Sequence, residues 1–464
     1  METDMTKGKP SSILLRFLVP IFFGNLFQQF YNVVDTVIVG RVVGAGALAA
    51  VGSTGTIMFL LSGISQGMST GFTVLTAQHY GAKNEKGVRR SVATALLLSL
   101  LLTAGFTAAG ALLMGPLLRL MNTPDDIYRD AYTYIMIITV GLIAMIMYNM
   151  SAALLRAIGN SKTPLYFLIF AVVSNIFLDL LLTMGIRMGV AGAALATVLS
   201  QAMAAVLCFV YIYRKAKVLR PRRGEWRLSA EMTRAQLKIS IPMTLQFAIT
   251  SSGTMIMQAA VNLFGSTAVA AYTAANKLVS LLVQEMPSMG SAISTYCGQN
   301  YGSRQLDRVK SGVKAAIRID TVYAVGAAVL CVVLLPLTLG LFFSGNEDIG
   351  VLMPWAKTYV NIAVCFFIPL SYIFVFRNAM QGCGYGMLPM FGGIVEFAAR
   401  GVTAFLSMHA MSYVAACFCD PAAWLAAGIF TGICYRFVVK DMEKTFHMDP
   451  SGGEEDADRR SRNA

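Results

Sequence analysis

The sequence predicts an all-α integral membrane protein: twelve transmembrane helices in two six-helix lobes related by a pseudo-twofold axis along the membrane normal. Three observations lead there. The 464 residues are 56% hydrophobic and only 13% charged, with a mean hydropathy of +0.63. A soluble chain keeps roughly a quarter of its residues charged, so most of this surface must face lipid. Long apolar stretches recur along the whole chain with short polar breaks, and motifs of the first half return in the second at a nearly constant offset.

A stretch counts as a span when it covers about 30 Å at 1.5 Å per residue. In order, the predicted spans are 13–40, 50–78, 91–118, 128–153, 164–185, 190–213, 237–263, 268–297, 313–342, 354–376, 389–409 and 412–437. The first follows a short polar start and runs well past the apolar core of a signal peptide with no small-residue cleavage site, so it is read as a retained helix. The expected divisions are a first lobe (1–213), a basic linker (214–236), a second lobe (237–438) and a polar tail (439–464) expected to be disordered. Within the basic connection, Glu225 to Lys238 has an amphipathic helical pattern that suits either a helix on the inner leaflet or a solvated connector.

The repeat is visible in three places. Gly44-Ala-Gly-Ala-Leu-Ala-Ala50 returns as Gly265-Ser-Thr-Ala-Val-Ala-Ala271, and Gln78-His-Tyr-Gly-Ala82 as Gln299-Asn-Tyr-Gly-Ser303, both 221 residues on. Gly159-Asn-Ser-Lys-Thr-Pro164 is echoed by Gly384-Tyr-Gly-Met-Leu-Pro389 at an offset of 225. Six spans per copy is an even number, so both copies enter from the same side and the repeat is parallel.

The net charge of +13 invites a nucleic-acid reading until the charges are placed. Most of the 37 basic residues fall in alternate loops, namely the N-terminus, Lys83 to Arg90, Arg156 with Lys162, Arg214 to Lys238, Arg304 to Lys314, Arg377, and the segment from Arg436. The opposite loops hold Arg41, Arg119, Arg129, Arg187 and Lys357 among the acids Asp125, Asp126, Asp130, Glu347 and Asp348. This asymmetry predicts cytoplasmic termini and removes the nucleic-acid reading. The eight cysteines lack paired spacing and read as small buried hydrophobes, so no metal centre is expected from them.

Ionisable residues inside a span cost about 2.5–3.5 kcal/mol each on insertion scales, so those that remain need a partner, water or a function. Asp35 lies in the first span with no basic residue within a helical turn. Asp179 lies in the fifth, and Asn175 precedes it by one turn on the same face. Glu285 stands before Met286-Pro287 in the eighth span as a secondary protonatable candidate, while Glu396 and Arg400, at i and i+4, form an expected structural ion pair. Two carboxyls withdrawn from water favour proton uptake. Alternatively, Asp35, Asn175, Asp179 and the hydroxyl of Thr197 provide hard oxygen ligands for a small alkali cation, Na⁺. The sequence leaves H⁺ and Na⁺ both open. Pro20 interrupts the first span 15 residues before Asp35 and reads as a static kink or a hinge.

Taken in order, Pro20…Asp35, Gln78-x-Tyr-Gly, Gly159-x4-Pro164, Asn175-x3-Asp179, Gly189-Val-Ala-Gly-Ala-Ala-Leu-Ala-Thr-Val-Leu-Ser-Gln201 and Asp420-Pro-Ala-Ala-Trp424 resemble the multidrug and toxic compound extrusion transporters over residues 12 to 438. The paired acids Asp35 and Asp179 look most like the DinF-like prokaryotic branch. The resemblance implies a secondary antiporter that exports amphiphilic, often cationic, organic compounds as H⁺ or Na⁺ enters. It implies a first-lobe cation site at Asp35, Asn175, Asp179 and Thr197, and bending at Pro20. Another branch carries coupling acids in the seventh and tenth spans; this chain offers Gln246, Thr250, Ser251 and Ser252 in the seventh but no acid in either.

Between lobes of that plan, Phe27, Gln28, Tyr31, Met58, Met68, Met255 and Met257 are candidate substrate contacts, since methionine and aromatic surfaces suit apolar cations. The expected partners are a small organic substrate and the bilayer, with no cofactor beyond the coupling ion, and the chain is expected to act as a monomer in the plasma membrane. A lipid-linked oligosaccharide flippase of the same superfamily is the nearest alternative. Such a protein lines its cavity with basic residues, and here only Lys277, Arg318 and Arg400 lie within or beside spans. Three scattered histidines, His79, His409 and His447, give no basis for an enzyme.

Overall fold

The computed structural model describes residues 3–121, 123–343 and 349–448. Glu347, Asp348 and the last sixteen residues of the expected disordered tail lie outside them. The first ten residues of that tail, 439–448, are helical, because the last helix continues through Arg436 and Lys440 to Met448.

Every predicted span is helical. In chain order the helices are α1 Pro10–Ile38, α2 Ala45–Ser53, α3 Gly55–Gly81, α4 Glu85–Leu120, α5 Asp125–Val140, α6 Leu142–Ala157, α7 Lys162–Asp179, α8 Val190–Arg214, α9 Ala230–Asn262, α10 Gly265–Leu282, α11 Glu285–Gly302, α12 Leu306–Phe342, α13 Ile349–Val364, α14 Phe367–Gly382, α15 Met387–Ala410, α16 Tyr413–Cys417 and α17 Cys419–Met448. Among the described residues, eight helical segments are long and apolar enough to cross a membrane. Counting α5–α6, bent by 45°, and α13–α14, bent by 47°, as single spans makes ten. The α5–α6 bend falls at Gly141, where any Cβ would run into Val198 of α8.

The other two predicted spans are α9 and the broken pair α10–α11. Their low hydropathy has a local cause: the polar side chains are turned into protein. Gln236, Ser240 and Gln246 of α9 are buried, as are Ser288, Ser294, Thr295, Gln299 and Asn300 of α11. Gln236 Nε2 donates to the Ser91 carbonyl at 2.8 Å, and Gln381 Nε2 donates to Gln246 Oε1 at 2.8 Å. Hydrogen bonds of this kind remove the cost of keeping amides in a membrane.

The internal repeat is written in the backbone. Left-handed φ values occur in corresponding pairs: Gly44 at 120° and Gly265 at 86°, Lys83 at 57° and Arg304 at 58°, Gly159 at 82° and Gly384 at 94°. The second pair shows two L residues holding a conformation that costs roughly 1–2 kcal/mol, at the same turn of each copy.

The chain divides into two compact units, one of Met1–Asp4 with Val19–Thr244 and the other of Met5–Leu18 with Leu245–Ala464. They differ from the expected lobes at the first helix of each copy. Residues 5–18, ahead of Pro20, belong to the second unit: Met5 N donates to Gln299 Oε1 at 3.1 Å, and Arg308 donates to the carbonyls of Gly8 and Met5, each at 3.0 Å. The start of α9 belongs to the first unit. Gly67 and Gly71 of α3 lie against the backbone of Thr244 and Ser240, a small-xxx-small contact that admits no Cβ.

Each unit has its own apolar core. Phe72, Val88, Val92, Leu154 and Ile158 cluster in the first. Tyr272, Tyr359, Phe367 and Trp424 do so in the second, where Tyr272 and Tyr359 meet edge to face at 4.8 Å. Of the eight cysteines, all but Cys365 are buried, and all are free.

Candidate functional site: a carboxyl pair beside two π-helical turns

α1 does not end at Ile38 but widens into a π-helical turn, Val39–Val43, and α7 passes into a second one, Leu180–Gly185. The two turns pack against each other and against α8. Single π-helical turns concentrate at functional sites, and here each lies within one helical turn of an acid. Asp35 stands one turn before the first, and Asp179 is the last residue of α7. The Thr183 hydroxyl donates to the Asp179 carbonyl at 2.5 Å, tying the second turn to the acid that precedes it.

Hydropathy alone does not show that the two acids meet; the packing of these turns does. Asp35 is half-buried and Asp179 fully buried, and their side chains lie within hydrogen-bonding reach of each other. Oδ1 of Asp35 is buried with no hydrogen-bond partner. Asn175 (1% exposed) and Thr197 (6% exposed) are buried in the same unit. The Thr197 hydroxyl is 3.0 Å from the hydroxyl of Tyr31, one turn before Asp35. The buried Tyr134 of α5 closes the cluster, near enough to both acids to sense their charge. Tyr31, read from sequence as a substrate contact, is therefore part of the acid cluster. The cluster offers two carboxyls, an amide and hydroxyls, which fit a proton shared between the acids and equally fit the hard oxygen coordination of Na⁺.

The remaining candidates fall elsewhere. Pro20 is buried inside α1, two residues after the boundary between the two units. Phe27 and Gln28 are exposed. Met257, expected from the sequence to contact substrate, is instead 1% exposed and packs in the second unit's core, so it is not open to a substrate. Met68 is likewise a core residue of the first unit, whereas Met255 is exposed.

Glu396 and Arg400 meet at 3.1 Å, but they belong to a larger network that the sequence does not display. Arg400 Nε donates to Asp420 Oδ1 at 2.8 Å, and Arg377 Nη1 lies 3.8 Å from Glu396 Oε2. Two guanidinium and two carboxylate groups make the network neutral. Glu285 is paired too, with Asp320 of α12, a residue passed over in the sequence although it is an acid in an apolar run. No group of three or more potential metal-ligating acids, cysteines or histidines occurs among the described residues.

Long bundled helices, two units carrying one repeat and buried unbalanced acids define a polytopic α-helical membrane transporter. A family model described as MatE matches residues 20–181 and 242–424, most of both copies, and the chain belongs to that family of transporters, not to an enzyme class. It is 34% identical over 308 residues to the Probable multidrug resistance protein YpnP of Bacillus subtilis (strain 168), covering 66% of this chain and 68% of the relative. It is 30% identical over 352 residues to the Probable multidrug resistance protein YoeA of the same organism, covering 74% and 76%. DNA damage-inducible protein F of Escherichia coli (strain K12) is more distant, at 28% over 322 residues, 66% of this chain and 67% of the relative. A solved structure described as MATE in the bent conformation superposes with a TM-score of 0.88 over 95% of this chain and 98% of its own, at 20% identity, and so shares the fold.

Proposed function

We propose that this protein is a secondary antiporter that exports amphiphilic, often cationic, organic compounds in exchange for H⁺ or Na⁺ by alternating access. The observation that carries the reading is the contact between Asp35 and Asp179, with Tyr31 and Thr197 joined beside them. A cation taken up by the pair cancels the negative charge that holds a cationic substrate, so the two ligands compete and their fluxes are coupled. The names of the Bacillus relatives support the substrate class.

Both termini are cytoplasmic in this reading, the membrane is the plasma membrane, the two repeats act as the two lobes, and the monomer is the working unit. The paired acids keep the DinF-like assignment of mechanism, although the relatives of higher identity carry other names. A flippase for lipid-linked pyrophosphates is disfavoured because Lys277 and Arg318 are exposed, while Arg377 and Arg400 are engaged with Glu396 and Asp420. The test is reconstitution into liposomes with a pH gradient or a Na⁺ gradient imposed separately. One of the two drives uptake of a fluorescent organic cation; uptake indifferent to both gradients refutes antiport.

A further inference from the structure

Glu285 is the first residue of α11, placed directly after the break that separates it from α10. α11 runs down to Gly302 and α12 returns from Leu306, the two packed side by side. Glu285 lies 17 residues above one end of the connecting turn and Asp320 14 residues above the other, roughly 26 and 21 Å of helix rise. The two acids thus sit at similar depth, well inside the span.

Burial at this point is nearly complete: Glu285 is 3% exposed and Asp320 0%. All four carboxyl oxygens are buried without a hydrogen-bond partner, yet the two side chains are close enough to hydrogen-bond to each other if one carries a proton. Among the described residues, the nearby basic side chains on the surrounding helices are directed elsewhere. Lys277 on α10, Arg318 on α12 and Lys357 on α13 are exposed, and Arg377 on α14 faces Glu396. Of the tyrosines, Tyr323 of α12 donates its hydroxyl hydrogen to the Leu282 carbonyl at 2.7 Å, Tyr359 of α13 donates to Asn276, and Tyr372 of α14 lies 3.3 Å from the Thr321 hydroxyl.

We propose that Glu285 and Asp320 form a second proton-binding site, contained in the second unit and separate from the Asp35–Asp179 pair, in which one proton is shared between the two carboxyls. Two carboxylates that meet in a dry site without a counter-charge cannot both stay ionised, and a single proton both halves the charge and makes the one hydrogen bond available to the pair. The proposed occupant is a proton, which needs no ligand beyond the two carboxyls, whereas Na⁺ calls for a fuller shell of oxygen ligands than two carboxyls supply. Loss of the proton leaves two anions in contact beside the α10–α11 break, so occupancy of the site acts where the helical backbone is already interrupted. The site's existence does not depend on the antiport reading; its use in a transport cycle does.

The test is infrared difference spectroscopy of the full-length protein in lipid nanodiscs, in an Asp35→Asn/Asp179→Asn background that silences the first pair. A protonated-carboxyl band is expected at neutral pH, shifted in frequency in Glu285→Gln and in Asp320→Asn, where the surviving acid has lost its partner, abolished in Glu285→Gln/Asp320→Asn, and kept in the exchanged variant Glu285→Asp/Asp320→Glu. A parallel titration of the folded protein upward from neutral pH is expected to release one proton fewer per chain from Glu285→Gln/Asp320→Asn, whose two amides preserve the shape of the pair. A band that neither single substitution shifts and that the double substitution leaves in place, or that Na⁺ abolishes at constant pH, overturns the proposal. If antiport fails in liposomes while the band behaves as expected, the site stands and only its role in transport falls.

Discussion

Replacing Arg400 by Met removes the centre of the buried charge network and leaves the rest of the second unit's core in place. Arg400 is 2% exposed and contacts Asp420 at 2.8 Å and Glu396 at 3.1 Å. At an effective dielectric constant of about 20, each contact carries roughly 5–6 kcal/mol of Coulomb attraction. Desolvation cancels much of that, and removing one member of a buried pair costs about 3–5 kcal/mol because a charge is left uncompensated. The uncompensated charge here is Asp420, since Glu396 keeps Arg377 at 3.8 Å. Asp420→Asn in the Arg400→Met background restores neutrality, so the double variant is expected to regain all but about 1–2 kcal/mol, as neutral replacements of buried ion pairs do. Equilibrium unfolding in detergent, followed by the fluorescence of Trp424 one turn from Asp420, measures each corner of the cycle. An Arg400→Met cost below about 1 kcal/mol, or no recovery in the double variant, refutes the reasoning.

Three further outcomes are expected. Tyr31→Phe and Thr197→Val each remove the 3.0 Å hydroxyl contact beside Asp35, worth about 0.5–1.5 kcal/mol, so the half-saturating concentration of the coupling ion in transport assays rises roughly 2- to 12-fold, and the double variant adds little more. In the basic linker, burial opposes ionisation of Glu225, but the Arg222 backbone N–H at 2.6 Å and Arg89 at 3.0 Å outweigh it and hold the carboxyl below its usual range. A depressed folded-state value means that the contribution to stability is present above the ordinary glutamate range and lost as pH falls through the folded value. Glu225→Gln therefore lowers thermal stability at neutral pH and loses that effect in acid, which melting curves over a pH series will show. Gly159→Ala puts a Cβ against the Thr3 carbonyl at a φ of 82° and is expected to cost at least about 1–2 kcal/mol, measured as a fall in the unfolding midpoint.

The spans were legible because lipid imposes a length and a composition on every helix that crosses it, and they include α9 and α10–α11, whose buried polar faces depress their hydropathy. Asp35 and Asp179 stood out for the same reason: an acid without a local counter-ion is conspicuous in an apolar run. Contacts at helical spacing were also readable, as Glu396 and Arg400 show. Contacts between distant segments were not. Asp420 and Arg377 join Glu396 and Arg400 only through packing of α14, α15 and α17, and Asp320 gains its meaning only when α12 lies beside Glu285. Met257 was misread because a methionine facing a core and one facing a cavity look alike in sequence. The grouping of residues 5–18 with the second unit depends on Arg308 and Gln299, nearly three hundred residues away, and no local pattern announces it.

Joint binding of the coupling ion by Asp35 and Asp179 is what the proposed antiport stands on. It is tested most directly by gradient-driven uptake of a fluorescent organic cation into liposomes containing wild-type protein, Asp35→Asn or Asp179→Asn, with binding of the same cation measured on each purified protein. Either substitution is expected to abolish the response to the driving gradient and to weaken binding of the organic cation, which the missing carboxylate no longer helps to hold, while the protein stays folded. Wild-type gradient-driven uptake by both variants would contradict it.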